Sequence, residues 1–207
     1  MPKLDLERAL ALRTPEETRR FYADWAARYD SEHVAGNDYI QPRRLADCFA
    51  EAGGAGPVLD FGAGTGVMGA ELARLGIGPI DGLDLTPEML DVARTKGVYR
   101  DLIAGNILDG LELPAASYAG VVSAGTFTLG HVGPEGLPPL LRLVRPGGLI
   151  ALAINHAHYD AAGFADAFEA LAGQIADLTL TDIPYYGAKA TGPHKDDTGY
   201  ATLFRKV

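Results

Sequence analysis

The residues best suited to chemistry stand between Asp60 and Gly66, in the stretch D-F-G-A-G-T-G. Val58, Leu59 and Phe61 form a short apolar run that glycine then stops, the pattern of a buried parallel strand opening into a helix. Gly62, Gly64 and Gly66 carry no Cβ, so a ligand can come close to the main chain. The helical pattern from Val67 to Leu75 brings its amide end and positive dipole end to the same place. The spacing is not G-x-G-x-x-G, because Val67 stands where the last glycine of a dinucleotide site belongs. Asp60 adds a carboxylate, which suits a cationic ligand better than a pyrophosphate, since two anions repel in a desolvated cleft. A tight glycine turn that holds no ligand is the plain alternative.

A second carboxylate, Asp84, ends the apolar stretch I-D-G-L-D-L and lies 22 residues past Gly62 (84 − 62). That spacing lets an acid at the end of the second strand accept the ribose hydroxyls of an adenosine group. Thr86 and Pro87 already supply the next helix with an N-cap and a first-turn proline, which argues against a mere capping role for Asp84. His131, His156, His158 and Tyr159 all stand at expected carboxyl ends of strands and are candidate bases or substrate ligands. His131 is the first choice as catalytic residue because it follows strand four, beside the crevice where a doubly wound sheet reverses its strand order. The H-x-H of His156 and His158 suggests a metal, but zinc needs three or four ligands and neither a cysteine pair nor H-E-x-x-H is present, so no metal is expected.

Several elements must position these groups. Thr14-Pro15-Glu16-Glu17 predicts a helix start with a capping box. Thr18, Phe21, Tyr22, Trp25 and Tyr29 then form a stripe at helical spacing, read either as packing or as an aromatic lid over a ligand. The polar stretch from Tyr29 to Pro42 reads as a loop over the cleft, and a helix is expected from Pro42 to Ala52. Strands are expected at 80–85, 100–105, 118–123 and 149–154, with a loop from Ala124 to Val132 and another from Asn155 to Asp160. Leu178 to Tyr186 and Gly199 to Val207 read as two closing strands, which break the βα rhythm.

D-F-G-A-G-T-G, G-L-D-L-T-P-E-M-L, G-N and R-P-G-G, in this order, resemble the class I S-adenosylmethionine-dependent methyltransferases. The longer stretches A-R-T-K-G-V-Y-R-D-L-I and V-V-S-A-G-T-F-T-L-G-H-V are similar to the methyltransferase-like proteins named after the Williams–Beuren region. The resemblance implies an α/β fold: a Rossmann-like doubly wound seven-stranded sheet, mostly parallel with an antiparallel C-terminal hairpin, preceded by N-terminal helices. It implies one methyltransferase domain over residues 1–207, with 1–54 as a helical lid and 55–207 as the Rossmann-like core. It implies S-adenosylmethionine as cofactor and S-adenosylhomocysteine as product. Cofactor contacts are expected at Tyr29, Asp60, Gly62, Ala63, Gly64, Thr65, Gly66, Asp84, Leu85, Met89, Gly105, Asn106, Ile107, Ser123 and Gly125. Asp60 is assigned to the methionine end, with Tyr29 and Trp25 closing over it, and Met89 and Ile107 sandwich the adenine. Asn106 stands where the family usually has an acid against the adenine amino group, and Asp109 is the alternative acceptor. The activity implied is methyl transfer to an O-, N- or C-nucleophile by in-line displacement. A methyltransferase-fold binding module without turnover and an NAD-dependent oxidoreductase are the rival readings.

Composition narrows the partners. The 207 residues are 47% hydrophobic and 22% charged, with a net charge of −9. That acidity argues against nucleic acid, and the basic pairs Arg19–Arg20 and Arg43–Arg44 do not make a basic face. The N-P-P-Y or D-P-P-Y signature of DNA adenine transfer is absent after strand four, where S-A-G-T-F stands. A small-molecule acceptor is expected, with a protein side chain second. No stretch is apolar over about 18 residues, so no membrane span is expected. The opening M-P-K-L-D-L-E-R has no leader-like apolar core, and the one cysteine, Cys48, can form no internal disulfide, so a cytoplasmic protein is expected.

Overall fold

A computed structural model describes residues 6–207; the first five residues of the opening stretch read above for a leader lie outside the described residues. Helix α1 covers Leu6–Leu10 and α2 covers Pro15–Tyr29. The Thr14 hydroxyl accepts from the Glu17 amide at 3.2 Å, and the Glu17 carboxylate accepts from the Arg13 amide at 2.9 Å. The expected capping box thus takes Arg13, not Thr14, as its second donor. The polar stretch after Tyr29 is not the expected loop but continues as a π-helix, Asp30–Ala35. Tertiary contacts explain it. The Asp30 carboxylate accepts from Thr65 Oγ1 and from Lys96 Nζ, each at 2.5 Å. His33 is buried among the rings of Tyr29, Tyr39 and Tyr186.

Helix α3 spans Gln41–Glu51, and the strands are β1 (Val58–Phe61), β2 (Ile80–Asp84), β3 (Asp101–Ala104), β4 (Tyr118–Phe127), β5 (Val144–Asn155), β6 (Ile175–Pro184) and β7 (Thr198–Lys206). They form one seven-stranded sheet in the order β3-β2-β1-β4-β5-β7-β6. The first five pair in parallel, and β7 pairs antiparallel with both β5 and β6, as expected. Helices α4 (Val67–Arg74), α5 (Pro87–Thr95), α6 (Leu137–Leu143), α7 (His156–Ala162) and α8 (Phe164–Ala170) fill the connections.

The centre of the sheet is covered on both faces, and β5 shows how, while the edge strand β6 is largely exposed. Ile150, Leu152 and Ile154 enter one core with Leu140, Phe164 and Phe204. Leu149, Ala151 and Ala153 enter the other with Leu45, Phe49 and Leu72. Alternate residues of a strand point to opposite faces, so a run apolar at every position belongs in the middle of such a sandwich.

Two expected loops are ordered differently. β4 runs to Phe127 rather than stopping at Ser123, with an irregularity in its pairing to β5 between those residues. Gly125, at φ +81°, sits inside that bulge. The stretch after β5 is helix α7, because the Asn155 side chain caps it by accepting from the His158 amide at 3.2 Å.

Behind the glycine turn lies one ring, Tyr99. A Cβ on Gly69 would come within 2.3 Å of it, on Gly66 within 2.9 Å and on Gly82 within 3.0 Å, so these glycines form its slot. The Tyr99 hydroxyl donates to Asp60 Oδ2 at 2.6 Å, and Asp60 Oδ1 is buried without a hydrogen-bond partner. Burial pushes the Asp60 carboxyl up from 3.8 to about 7, against the lowering by Tyr99 and with a further push from Asp84. The folded state therefore holds a proton that the unfolded state has released between about pH 3.8 and 7, and stability falls as pH rises through that window. Asp60→Asn keeps an acceptor for Tyr99 and removes that fall. Its stability relative to the parent should rise by up to about 1.4 kcal/mol per pH unit, read by urea denaturation at pH 5 and pH 8. An unchanged difference would mean that Asp60 is ionised throughout. Gly69→Ala should cost about 1–3 kcal/mol in the same assay, because the Tyr99 slot closes.

Candidate cofactor and active site

Parallel pairing aligns the carboxyl ends of β1, β2 and β3: Phe61 pairs with Leu83, and Asp84 with Ala104. The chain after each strand therefore opens on one edge, next to the β1–β4 boundary where strand order reverses. A cleft of about 230 Å³ lies there. Of the expected contacts it is lined by Tyr29, Gly62, Ala63, Gly64, Thr65, Asp84, Leu85, Met89, Gly105, Asn106 and Gly125, and also by His131.

The glycines divide their roles. A Cβ on Gly62 would come within 1.9 Å of Thr126 Oγ1, so that glycine lets β4 approach. Gly66 serves the Tyr99 slot and Ala93 of α5, and it does not line the cleft. Gly64, at φ +53°, has open space where its Cβ would stand. Nor are the turn amides bare, as the sequence suggested. Gly62 and Ala63 both donate to the Leu83 carbonyl, at 2.8 and 3.0 Å, and Gly64 donates to Asp84 Oδ2 at 2.8 Å. The turn is therefore no anion nest.

Asp84 is half-buried in the cleft wall. Its Oδ1 accepts from the Thr86 amide at 2.8 Å, while Thr86 itself makes no side-chain cap. The capping role argued away above is thus real, and it coexists with exposure to the cleft. Burial raises the carboxyl, and the Thr86 and Gly64 amides lower it. The Thr86 side chain bonds the carboxylate as well, which still leaves it lone-pair capacity for a ligand.

Three more expected contacts lie outside the cleft. Asp60 does not face a ligand's methionine end, since its side chain is fully buried against Tyr99. Ile107 packs into the core with Leu59 and Phe61, and Leu108, exposed at 37%, takes its place on the wall. Ser123 is buried and donates to the Phe61 carbonyl at 2.6 Å. Asn106 Oδ1 accepts from the Leu108 amide at 2.9 Å, and its Nδ2 donates to Asp109 at 2.6 Å. Trp25 lines a second cavity rather than the cleft. His158 meets the Val132 carbonyl at 2.9 Å and His156 meets Thr198 at 3.0 Å; with Tyr159 they line neither cavity.

His131 bridges the two spaces. Its Nδ1 lies 3.1 Å from the Leu129 carbonyl, which assigns the proton to Nδ1, and its Nε2 accepts from the Tyr22 hydroxyl at 3.2 Å. Burial lowers its pKa from 6.5, so the ring is neutral at pH 7. Tyr22, Tyr29, Tyr39 and Gly125 also line both the cleft and the smaller cavity behind it. Sequence reasoning missed Tyr186, which reaches this wall through an isolated bridge between residues 39 and 186. It also missed Arg13 and Pro15, brought to the cleft by the start of α2. No local signal marks either contact.

The residues present fit a cationic adenosyl donor: open space over Gly64, a half-buried carboxylate with free lone pairs, and an apolar wall at Met89 and Leu108. Residues 58–148 match a family model described as a methyltransferase domain. Human methyltransferase-like protein 27 is 34% identical over 137 residues, 64% of this chain and 55% of that protein, so the chain spans about half of that relative's length. Demethylmenaquinone methyltransferase of Beutenbergia cavernae is 29% identical over 202 residues, 95% of this chain and 77% of that protein. The crystal structure of the N-methyltransferase NodS from Bradyrhizobium japonicum, in complex with S-adenosyl-L-homocysteine, shares the fold with a TM-score of 0.67, at 16% identity over 91% of this chain and 97% of that one. The sheet order, the glycine turn and these likenesses give the chain the fold of the class I S-adenosylmethionine-dependent methyltransferases, with a match to a methyltransferase domain over residues 58–148.

Proposed function

We propose that the protein transfers a methyl group from S-adenosylmethionine to a small-molecule acceptor held between α2 and the end of β4. The observation that carries this reading is the meeting of two cavities, one lined by the glycine turn and Asp84, the other by aromatic rings, at Tyr22, Tyr29 and His131. The relatives named for demethylmenaquinone support a small-molecule acceptor. The net charge of −9 speaks against nucleic acid. No helix among the described residues is long and apolar enough to cross a membrane, and a cytoplasmic setting is part of the same proposal.

When bound, S-adenosylmethionine supplies an already activated methyl group, so the chain's task is alignment and exclusion of water. Asp84 takes the ribose hydroxyls, Gly64 gives room beside the turn, and Met89, Leu108 and Asn106 surround the adenine. Helix α2 and the π-helix act as the lid, while α3, whose Leu45 and Phe49 pack against the sheet, belongs with the core of residues 55–207 rather than with the expected lid of residues 1–54. His131 Nε2 receives the proton that an acceptor must lose.

Asp84→Asn should weaken S-adenosylhomocysteine binding about tenfold or more in calorimetry, since hydrogen bonds to a charged acceptor are replaced by weaker ones. Unchanged affinity would remove the ribose assignment. In a turnover screen against a metabolite panel, His131→Phe should lose about a hundredfold in rate while S-adenosylhomocysteine affinity holds. The acid-side midpoint of the parent's rate should fall below His131's ordinary 6.5, because burial lowers its pKa. A cofactor that binds with no turnover on any acceptor would instead favour a binding module.

A further inference from the structure

Behind His131 the second cavity, of about 60 Å³, is walled by Tyr22, Trp25, Tyr29, His33, Tyr39 and Tyr186. Their rings form a continuous array, with centroids 5.1 Å apart from Trp25 to Tyr29, 4.9 Å from Tyr29 to His33, 4.8 Å from His33 to Tyr39 and 5.6 Å from Tyr39 to Tyr186. The Asp197 carboxylate, held by His194 at 3.0 Å, also lines the wall. So does Tyr185, a residue 8% exposed whose hydroxyl, near Gln41, has no partner at hydrogen-bonding geometry. Among the described residues no lysine or arginine lines this chamber. Burial pushes His33 down from 6.5 to about 4, so it brings no positive charge.

Resting on the reading of the adjoining cleft as the S-adenosylmethionine site, we propose that this chamber receives a small amine and that methyl transfer is to nitrogen. Aromatic rings attract cations through their quadrupoles, and Asp197, which also bonds His194, adds negative potential. The same surroundings oppose an anion. Burial, with Asp84 for Tyr22 and Asp197 for Tyr186, raises both phenols above their ordinary value. A phenol or carboxylate acceptor reacts as an anion and meets that opposition. An amine does not. Its ammonium form gives one proton to Nε2 of His131, in place of the Tyr22 hydroxyl, and thence to solvent. The nitrogen lone pair then forms the N–CH₃ bond as the S–CH₃ bond breaks and its electron pair stays on sulfur. The products are an N-methylammonium and S-adenosylhomocysteine, and the positive charge that moves from sulfur to nitrogen stays beside the rings throughout.

The test is calorimetric titration of the protein saturated with S-adenosylhomocysteine, using choline and its uncharged carbon isostere 3,3-dimethylbutan-1-ol. Choline should bind at least tenfold more tightly. Tyr186→Leu, a change at a residue that lines the chamber but not the cofactor cleft, should abolish the preference and leave S-adenosylhomocysteine affinity unchanged; Tyr186→Phe should retain both. In a mixture of small amines, phenols and carboxylates with S-adenosylmethionine, mass spectrometry should find the methyl group on an amine. Equal binding of choline and its isostere, or preferential methylation of a phenol or carboxylate, overturns this inference while the cofactor reading stands. Failure of S-adenosylhomocysteine to bind at all overturns both.

Discussion

The cleft depends on a ring that never enters it. Tyr99 occupies the slot left by Gly66, Gly69 and Gly82 and hydrogen-bonds the buried Asp60, directly behind the turn that follows β1. A Cβ at any of these positions would displace the ring, and the turn rests on the ring. Much of what looks like a ligand-binding glycine motif is therefore a packing solution. Only Gly64 keeps open space toward the cleft.

Carboxylates then join the walls. Asp84 ties Gly64 of the first turn to Thr86 at the start of α5. Asp30 ties the π-helix to Thr65 of the turn and to Lys96 just beyond α5. The N-terminal segment is thereby held against the same backbone that frames the cofactor site. Partly buried hydrogen bonds to charged groups of this kind contribute more than neutral ones, and each closes a contact between segments distant in sequence. The charge of Asp30 is met by Lys96, so the negative charge that suits a cationic ligand in the cleft is that of Asp84.

Helix α2 serves two surfaces through its period. Phe21 and Trp25 are buried against α1 residue Ala9, while Thr18, Tyr22 and Tyr29 line the cleft. The stripe read as either packing or lid is both, divided residue by residue. Tyr22 alone connects it to the end of β4, through His131.

Most strand positions, several helix starts and the cofactor edge were legible in the chain, because they follow from local patterns: apolar runs, glycine at turns, and proline and threonine at helix starts; the arrangement of the sheet came from the family resemblance. Asp84 and His131 were legible as cleft residues because Asp84 stands at the carboxyl end of an expected strand and His131 in the loop expected to follow another. What the chain alone did not decide is where side chains point once strands pair. Asp60, Ile107 and Ser123 each sit in or next to a stretch that carries cleft residues yet turn into the interior, since alternation along a strand or a short helix sends neighbours to opposite sides. The π-helix after Tyr29 and the arrival of Tyr186 beside His33 needed the folded chain, for both rest on contacts between segments far apart in sequence, and such contacts leave no periodic trace in the segments that make them.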